Sequence, residues 1–140
     1  MMSAIHVDIV SAEGHIHSGE ATMIFAPAKM GELGIAPRHA PLLTSLKPGT
    51  LRVQQADGTE LAFFVGGGIL EVQPHLVTVL ADTALRAKDA DENAALKAKQ
   101  TAEEKLGKAA GPLDLAKAQN ELVEAAARLE FVQKINKITR

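Results

Sequence analysis

Cysteine is absent from the 140 residues, so disulfide bonds and thiolate metal sites are excluded, and nothing points to an oxidising compartment. Tryptophan and tyrosine are absent too, and only 4 phenylalanines are present. With a formal net charge of −2, the chain lacks both the basic surface and the stacking rings with which proteins bind nucleic acids. We therefore expect no nucleic-acid partner.

Long apolar runs are also missing. No uncharged apolar stretch reaches the roughly 18 residues that a membrane-spanning helix needs. The first eight residues contain no basic stretch followed by an apolar block, so no secretory signal is expected and a cytoplasmic setting is the default. At 46% hydrophobic residues, the chain can bury one core and carry an appendage.

Residues 1–86 contain short apolar segments separated by turn signals, which predicts strands of a sandwich or barrel. Ile5, Val7 and Ile9 alternate with polar residues, which is typical of a strand with one buried face. A further strand is expected to stop at Pro27, and Asp57-Gly58 predicts a hairpin turn. This part is predicted to be a β domain.

Residues 87–140 change to a helical period, so the fold class is α+β, with an N-terminal β-sandwich and a C-terminal antiparallel α-helical hairpin. Asp89 and Glu92 are spaced like a capping box, and Gly107 predicts the end of the first helix. Gly111-Pro112 predicts the start of the second. The expected domains are therefore 1–86 and 87–140.

The two predicted helices present side chains of different size to each other. The second helix presents large and small apolar residues at three-then-four spacing (Leu115, Ala118, Leu122, Ala125, Leu129 and Val132), and the first presents mostly alanines (Ala95, Ala98 and Ala102, with Leu106). A buried methyl contributes about 0.8 kcal/mol and a buried leucine about 1.5 to 3 kcal/mol, so this hairpin is weakly held. It is either a conformational switch or an ordinary alanine-rich surface hairpin.

The segment 31–44 is the most distinctive in the chain. Two glycines and two prolines shape its backbone, and it brings Glu32, Arg38 and His39 close together in sequence. Taken alone, Glu32 and His39 fit either a solvated turn or the acid–base pair of a small hydrolase. A free-standing adaptor that binds unrelated proteins is a further alternative.

Two other patterns are weak indications of a metal site and of a phosphate-binding loop. His15 and His17 are expected on one side of a strand, but two imidazoles without an acid or thiolate nearby do not make a metal site, and no metal is predicted. Gly66-Gly67-Gly68 lacks the spacing of a phosphate-binding loop and indicates a strand bend or a close backbone approach.

Five segments, at 6–13, 32–35, 39–44, 66–72 and 77–84, resemble in sequence and order the epsilon subunit of bacterial F-type ATP synthases. The similarity covers nearly the whole chain. It implies a flattened β-sandwich of about ten strands followed by two helices. It also implies a non-catalytic rotor subunit of the central stalk in a proton-translocating synthase on the cytoplasmic side of the bacterial inner membrane.

The resemblance also implies partners and site residues. The partners are the gamma subunit, the c-subunit ring and, in an inhibited state, the catalytic alpha and beta subunits. Glu32 and His39 correspond to contacts with the c ring and gamma. Basic residues of the second helix correspond to contacts with beta in the inhibited state: Arg128, Lys134, Lys137 and Arg140.

Some family members bind ATP through a hairpin segment that contains an aspartate and an arginine. Here Asp91 is retained, but Ala94 stands where the arginine is expected. Because a triphosphate needs a cation at such a site, we expect weak or absent ATP binding and no cofactor.

Overall fold

A computed structural model describes residues 3–138 of the chain. Within these residues there are eight strands, a single 3-10 turn (Ala87–Asp89) and two helices. The elements are β1 (Ile5–Ser11), β2 (Gly14–Ala21), β3 (Met23–Ala28), β4 (Gly31–Ile35), β5 (Leu42–Gln54), β6 (Glu60–Val72), β7 (Leu76–Ala81), β8 (Ala84–Arg86), α1 (Glu92–Gly107) and α2 (Pro112–Ile138). The chain divides into two compact units, one up to Ala87 and one from Lys88 onward.

The first unit is a sandwich whose layers share two strands. The first half of β6 pairs with β8 and its second half with β7, while β5 pairs along its length with β6 and on its other side with β3. The layers are therefore β2-β1-β7-β6-β5 and β8-β6-β5-β3-β4. With β5 and β6 counted in both layers, the eight strands supply the ten strand segments expected.

Both layers bury their inner faces in one core. Ile5, Val7 and Ile9 of β1 are fully buried and belong to the same apolar cluster as Ile24 of β3 and Ile35 of β4. β1 is hydrogen-bonded to neither β3 nor β4, so it meets these two strands face to face. The predicted β-sandwich is confirmed.

The glycine run lies where β6 crosses from one layer to the other. Gly67 has φ 99° and Gly68 has φ 132°, values that L side chains rarely adopt. A Cβ at Gly68 would collide with the carbonyl oxygen of Leu80 and lie 2.9 Å from the Cα of Ala81. The predicted bend and close backbone approach are both confirmed, because the bend presses β6 against β7.

The predicted hairpin turn at Asp57-Gly58 connects β5 and β6. Gly58 has φ 88°, and the Asp57 carboxylate accepts hydrogen bonds from the Thr59 backbone at 2.9 Å and from the Thr59 hydroxyl at 2.6 Å. These bonds lower the pKa of Asp57. The turn prediction is confirmed.

The predicted stop at Pro27 is wrong, because β3 continues through Ala28. Pro27 lies opposite Glu32 of β4, and the pairing of β3 with β5 is irregular between Phe25 and Ala28. This irregularity places Pro27 where the ladder to β5 requires no N–H donor, so the strand tolerates it.

The start of α1 differs from the predicted capping box. Asp91, and not Asp89, is the N-cap, and its carboxylate accepts from the backbone N–H of Asn93 at 3.0 Å and of Ala94 at 3.3 Å. Asp91 has the extended backbone that an N-cap requires, whereas Asp89 belongs to the preceding 3-10 turn. The predicted end at Gly107 and restart at Pro112 are confirmed.

The hairpin packs through small residues, as the sequence predicts. The buried residues of α1 are Ala95 and Ala102. Most of the predicted face of α2 is buried or half-buried, but Leu115 is 42% exposed. The helical pattern did not include Phe131, which is only 2% exposed. Among the described residues, no helix is long and apolar enough to cross a membrane.

We predict that Gly68→Ala destabilises the sandwich by about 2 to 4 kcal/mol, since the new methyl combines strained backbone with collision against β7. Thermal unfolding would measure the change. Gly58→Ala is the matched control, because φ is 88° there but a Cβ meets nothing within 4 Å. Its cost should be about 1 kcal/mol. Equal costs for the two variants would contradict a close approach at Gly68.

Candidate functional site

The outer face of the first layer carries an apolar patch formed by Leu43, Ile69 and Leu80. Their exposed fractions are 69%, 47% and 50%. Ile69 lies directly opposite Leu80, and Leu43 lies opposite Glu71, two residues along β6. Because side chains alternate along a strand, all three project from the face opposite the core. Three large apolar side chains side by side in solvent are typical of an interaction surface.

A polar cluster flanks the patch on β1 and β2. The His6 imidazole contacts Glu20 through Nδ1 at 3.1 Å, and through Nε2 it contacts Asp8 at 3.0 Å and Ser18 at 2.9 Å. The Ser18 hydroxyl donates to Asp8 at 2.7 Å. The bond to Glu20 is the main cause of the raised pKa of His6, and the bond from Ser18 is the main cause of the lowered pKa of Asp8.

This cluster has the residue types of a hydrolytic triad but not its geometry. The Ser18 hydroxyl donates to Asp8, so it is not held ready for activation by His6. β1 pairs with β2 on one side and with β7 on the other, which commits its N–H groups to the sheet. An oxyanion needs free donors of this kind. The cluster therefore fits a polar rim beside the apolar patch better than a catalytic centre.

Glu32 lies on the outer face of the second layer, on the edge strand β4. Its carboxylate contacts Arg52 at 3.3 Å and remains 57% exposed. The Arg52 guanidinium also contacts Glu60 at 3.4 Å and lies over the Phe25 ring, 4.3 Å from its centroid. Exposed pairs at these distances contribute little to stability, so Glu32 is available to a partner.

His39 lies in the loop between β4 and β5. Its Nδ1 donates to the carbonyl oxygen of Ala40 at 2.7 Å. The neighbouring Arg38 has φ 67°, and its N–H donates to the Pro74 carbonyl oxygen at 2.9 Å, which ties the loop to the turn between β6 and β7. Of the two glycines in this segment, Gly31 has a positive φ of 127° and Gly34 does not.

The structure gives Glu32 and His39 different neighbours. In the described part of the chain, no hydrogen bond joins the two side chains, since Glu32 contacts Arg52 and His39 contacts a backbone carbonyl. A general acid–base pair requires both groups to reach one substrate. The contacts thus give no support to the hydrolase alternative.

His15 and His17 do not share a face, contrary to the sequence-based expectation. The register between β1 and β2 shifts, so that His17 pairs with Ile9 and His15 with Val10. His17 packs on the core ring of Phe63 with centroids 5.2 Å apart, whereas His15 is exposed. A β-bulge, which adds one residue to β2, separates the two imidazoles. No cluster of metal-binding side chains occurs among the described residues.

Asp91 and Ala94 stand at the first turn of α1. The Asp91 carboxylate is engaged by the N–H groups of Asn93 and Ala94 as the helix cap. Ala94 lines a groove between α1 and α2 of about 500 Å³, where it contributes only a methyl group. These two positions therefore offer no free cation to a phosphate group.

Arg128 lines the same groove. Its Nε is buried, with no hydrogen-bond partner among the described residues. Lys105 of the groove already contacts Glu121 at 3.4 Å. The groove therefore mixes both signs of charge.

The remaining predicted cations lie along the end of α2. Lys134 is 69% exposed and contacts Glu130 at 3.6 Å, and Lys137 is exposed. Arg140 lies outside the described residues. Arg128 thus differs from Lys134 and Lys137, because it is half-buried inside the hairpin.

Sequence reasoning missed the apolar patch and Arg52. A signal for the patch existed, since Leu42-Leu43, Ile69-Leu70 and Val79-Leu80 are apolar on both faces of their strands. Arg52 is positioned by the pairing of β5 with β3 and β6, and no local sequence pattern indicates which strands pair.

Family models match both units. The β-sandwich domain of the ATP synthase delta/epsilon chain matches residues 4–87, and the long α-helix domain of the same chain matches residues 83–133. The resemblance identified from the sequence is confirmed.

Individual relatives match nearly the full length. The chain is 61% identical to the ATP synthase epsilon chain of Nitrosococcus oceani, covering 98% of both chains. It is 57% identical to that of Alkalilimnicola ehrlichii, covering 97% of both. A chain in the cryo-EM structure of the Euglena gracilis mitochondrial ATP synthase has the same fold, with a TM-score of 0.74 at 19% identity over 89% of this chain and 78% of that one. The chain therefore belongs to the ATP synthase delta/epsilon chain family.

Proposed function

We propose that this chain is a non-catalytic rotor subunit of a proton-translocating F-type ATP synthase, in which it fixes the c ring to gamma in the central stalk. Support comes from 61% identity to an epsilon chain across both units. A second fold neighbour, with a TM-score of 0.60, is from the central stalk and c ring of the Tetrahymena thermophila mitochondrial enzyme. The subunit would reach the cytoplasmic face of the bacterial inner membrane through these partners.

The apolar patch is the proposed docking face for gamma. Leu43, Ile69 and Leu80 expose apolar surface on a sheet layer in which β6 and β7 pair in regular register. Burying such side chains against a partner is favourable by about 25 cal/mol per Å². The titratable groups beside them, His6 and Asp8, would lie at the rim of the interface. Polar groups at a rim help to set the orientation of the partner.

Ile69→Glu should weaken binding to gamma by about 30-fold, because a charge buried at the centre of an apolar contact costs about 2 kcal/mol or more. Titration of the full-length variant against gamma would measure this. Leu113→Glu is the matched control, since Leu113 is 87% exposed in the other unit. If both variants bind as the unmodified chain does, the patch is not the docking face.

Glu32 is the proposed contact with the c ring, and His39 is proposed to lie on the same side near gamma. Glu32 is exposed on an edge strand, and among the described side chains its ion-pair partner is Arg52. A cation on the ring could share this carboxylate without unfolding any element. Such a contact would keep this subunit attached to the c ring while the two rotate together.

The hairpin is the proposed brake on ATP hydrolysis. The buried residues of α1 are the small Ala95 and Ala102, so this helix contributes less apolar area to the hairpin than a leucine-rich helix would. Lys134 and Lys137 are exposed and, with Arg128 and Arg140, would meet acidic groups of the beta subunit. Each exposed pair contributes about 0.2 to 1 kcal/mol, so inhibition needs several of them.

A chain ending at Ala87 should still bind a synthase head stripped of this subunit but should not inhibit its ATP hydrolysis. The full chain should do both, because the sandwich has its own core and the hairpin supplies the inhibitory contacts. Hydrolysis rates during titration, with binding measured in parallel, distinguish the two units. If neither form binds or changes the rate, the stalk assignment fails and an adaptor role is favoured.

Millimolar ATP should produce no saturating shift of amide signals near Asp91. The Asp91 carboxylate is occupied as a helix cap, and Ala94 supplies no cation. Ala94→Arg is the matched variant, and it should gain a saturating shift if the missing cation is the cause. A saturating shift in the unmodified chain would overturn the prediction.

A further inference from the structure

The two layers of the sandwich have an open side where β2 and β8 lie. Within residues 3–138, β2 pairs with β1 and β8 pairs with β6, and the two strands are not paired with each other. The Arg86 side chain crosses this opening. Its Nε donates to the Ile16 carbonyl oxygen at 3.0 Å, and its Nη2 donates to the His15 carbonyl oxygen at 3.4 Å.

The acceptor exists because of the bulge in β2. His17 pairs with Ile9 and His15 with Val10, which leaves Ile16 as the extra residue without a partner on β1. A bulged residue leaves backbone groups outside the ladder, and buried groups of this kind need another partner. Arg86 supplies that partner from the opposite layer. We call this contact, with the adjoining His17 and Phe63, the β2–β8 seam.

His17 forms the inner side of the seam. Its ring packs on Phe63, which lies directly opposite Arg86 in the pairing of β6 with β8. Its Nε2 is buried and has no hydrogen-bond partner among the described residues. A neutral imidazole tolerates this position, whereas an imidazolium would bury a charged N–H group that has no hydrogen-bond acceptor among the described residues.

The charged groups around His17 favour the neutral ring. Burial is the largest cause of its lowered pKa, and His15 on the same strand, Arg86 on β8 and His6 on β1 lower it further. Asp8 on β1 opposes them. The aromatic neighbour from β6, Phe63, carries no charge.

We propose that Arg86 and His17 together hold β8 against β2 while the His17 ring is neutral, and that protonation of His17 opens this seam. Arg86 and His17 are thus positioning residues for the strand from which the hairpin departs.

The direction of the pH effect depends on whether the open or the closed form of the seam binds a proton at His17 more readily. In the open form His17 titrates near its ordinary value of 6.5, and in the closed form it titrates lower. The open form therefore binds more protons below about pH 6.5, and the closed form loses stability as the pH falls through that range. Above it, the seam keeps its full stability.

Opening the seam changes the tether of the hairpin. It removes the contact of β8 with β2 and leaves the three-residue pairing with β6 to hold the strand. Fraying of that weakened pairing would lengthen the flexible connection before α1 by about 10 Å. This consequence rests on the proposed inhibitory role of the hairpin, since a longer tether lets the helices search a larger volume. Acid would then favour the inhibitory form.

The test is amide hydrogen exchange of the isolated full-length chain at pH 5.5 and 7.5, corrected for intrinsic exchange. Protection of the β8 residues, relative to that of the pairing between Ile24 and Val53, should fall several-fold at the lower pH. In His17→Phe this fall should disappear, because the replacement ring is neutral at both pH values and fills the same space. His17→Gln serves the same purpose if the Phe variant does not fold.

His15→Phe is the matched control, and it should retain most of the pH effect because His15 is exposed. Arg86→Gln should reduce the protection of β8 at both pH values. The proposal is overturned if β8 protection is independent of pH in the unmodified chain, or if the fall persists in the neutral His17 variants. Since the readout is exchange in the isolated chain, it is independent of whether the hairpin inhibits hydrolysis.

Discussion

The sandwich depends on the close approach of β6 to β7 at Gly68. There the backbone leaves no room for a side chain, and the left-handed conformations of Gly67 and Gly68 turn β6 from one layer into the other. Because β5 follows β6 through the same crossing, one bend lets two strands serve both layers. The shared core, the outer faces and the loop that carries His39 are all positioned by that crossing.

The two outer faces of the sandwich differ in character although they arise from the same alternation. The first layer places Ile69 and Leu80 side by side, whereas the second places Arg52 between Glu32 and Glu60. One face therefore favours association through apolar burial, and the other through charge. A small domain that connects two unlike partners benefits from this separation, because each contact has its own surface and its own dependence on salt.

Local chemistry predicted much of this fold. Asp57-Gly58 and the run at 66–68 specify backbone conformations by residue type alone, and the helix boundaries at Gly107 and Pro112 follow from capping preferences. Pairing between distant strands was not predictable in this way. The tolerance of Pro27 in β3 and the bulge at Ile16 both depend on the partner strand.

The parallel pairing of β1 with β7 constrains the order in which the strands can pair during synthesis. All other pairs are antiparallel, but β1 must wait for a strand that begins about 70 residues later, which takes about 4 to 14 seconds of translation. Until β7 leaves the ribosome, β1 is paired with β2 alone, and the first layer cannot close. The two helices wait less, since a contact between them such as that of Asn136 with Glu92 spans 44 residues. The nascent sandwich is therefore the stage at which this chain most needs protection from aggregation.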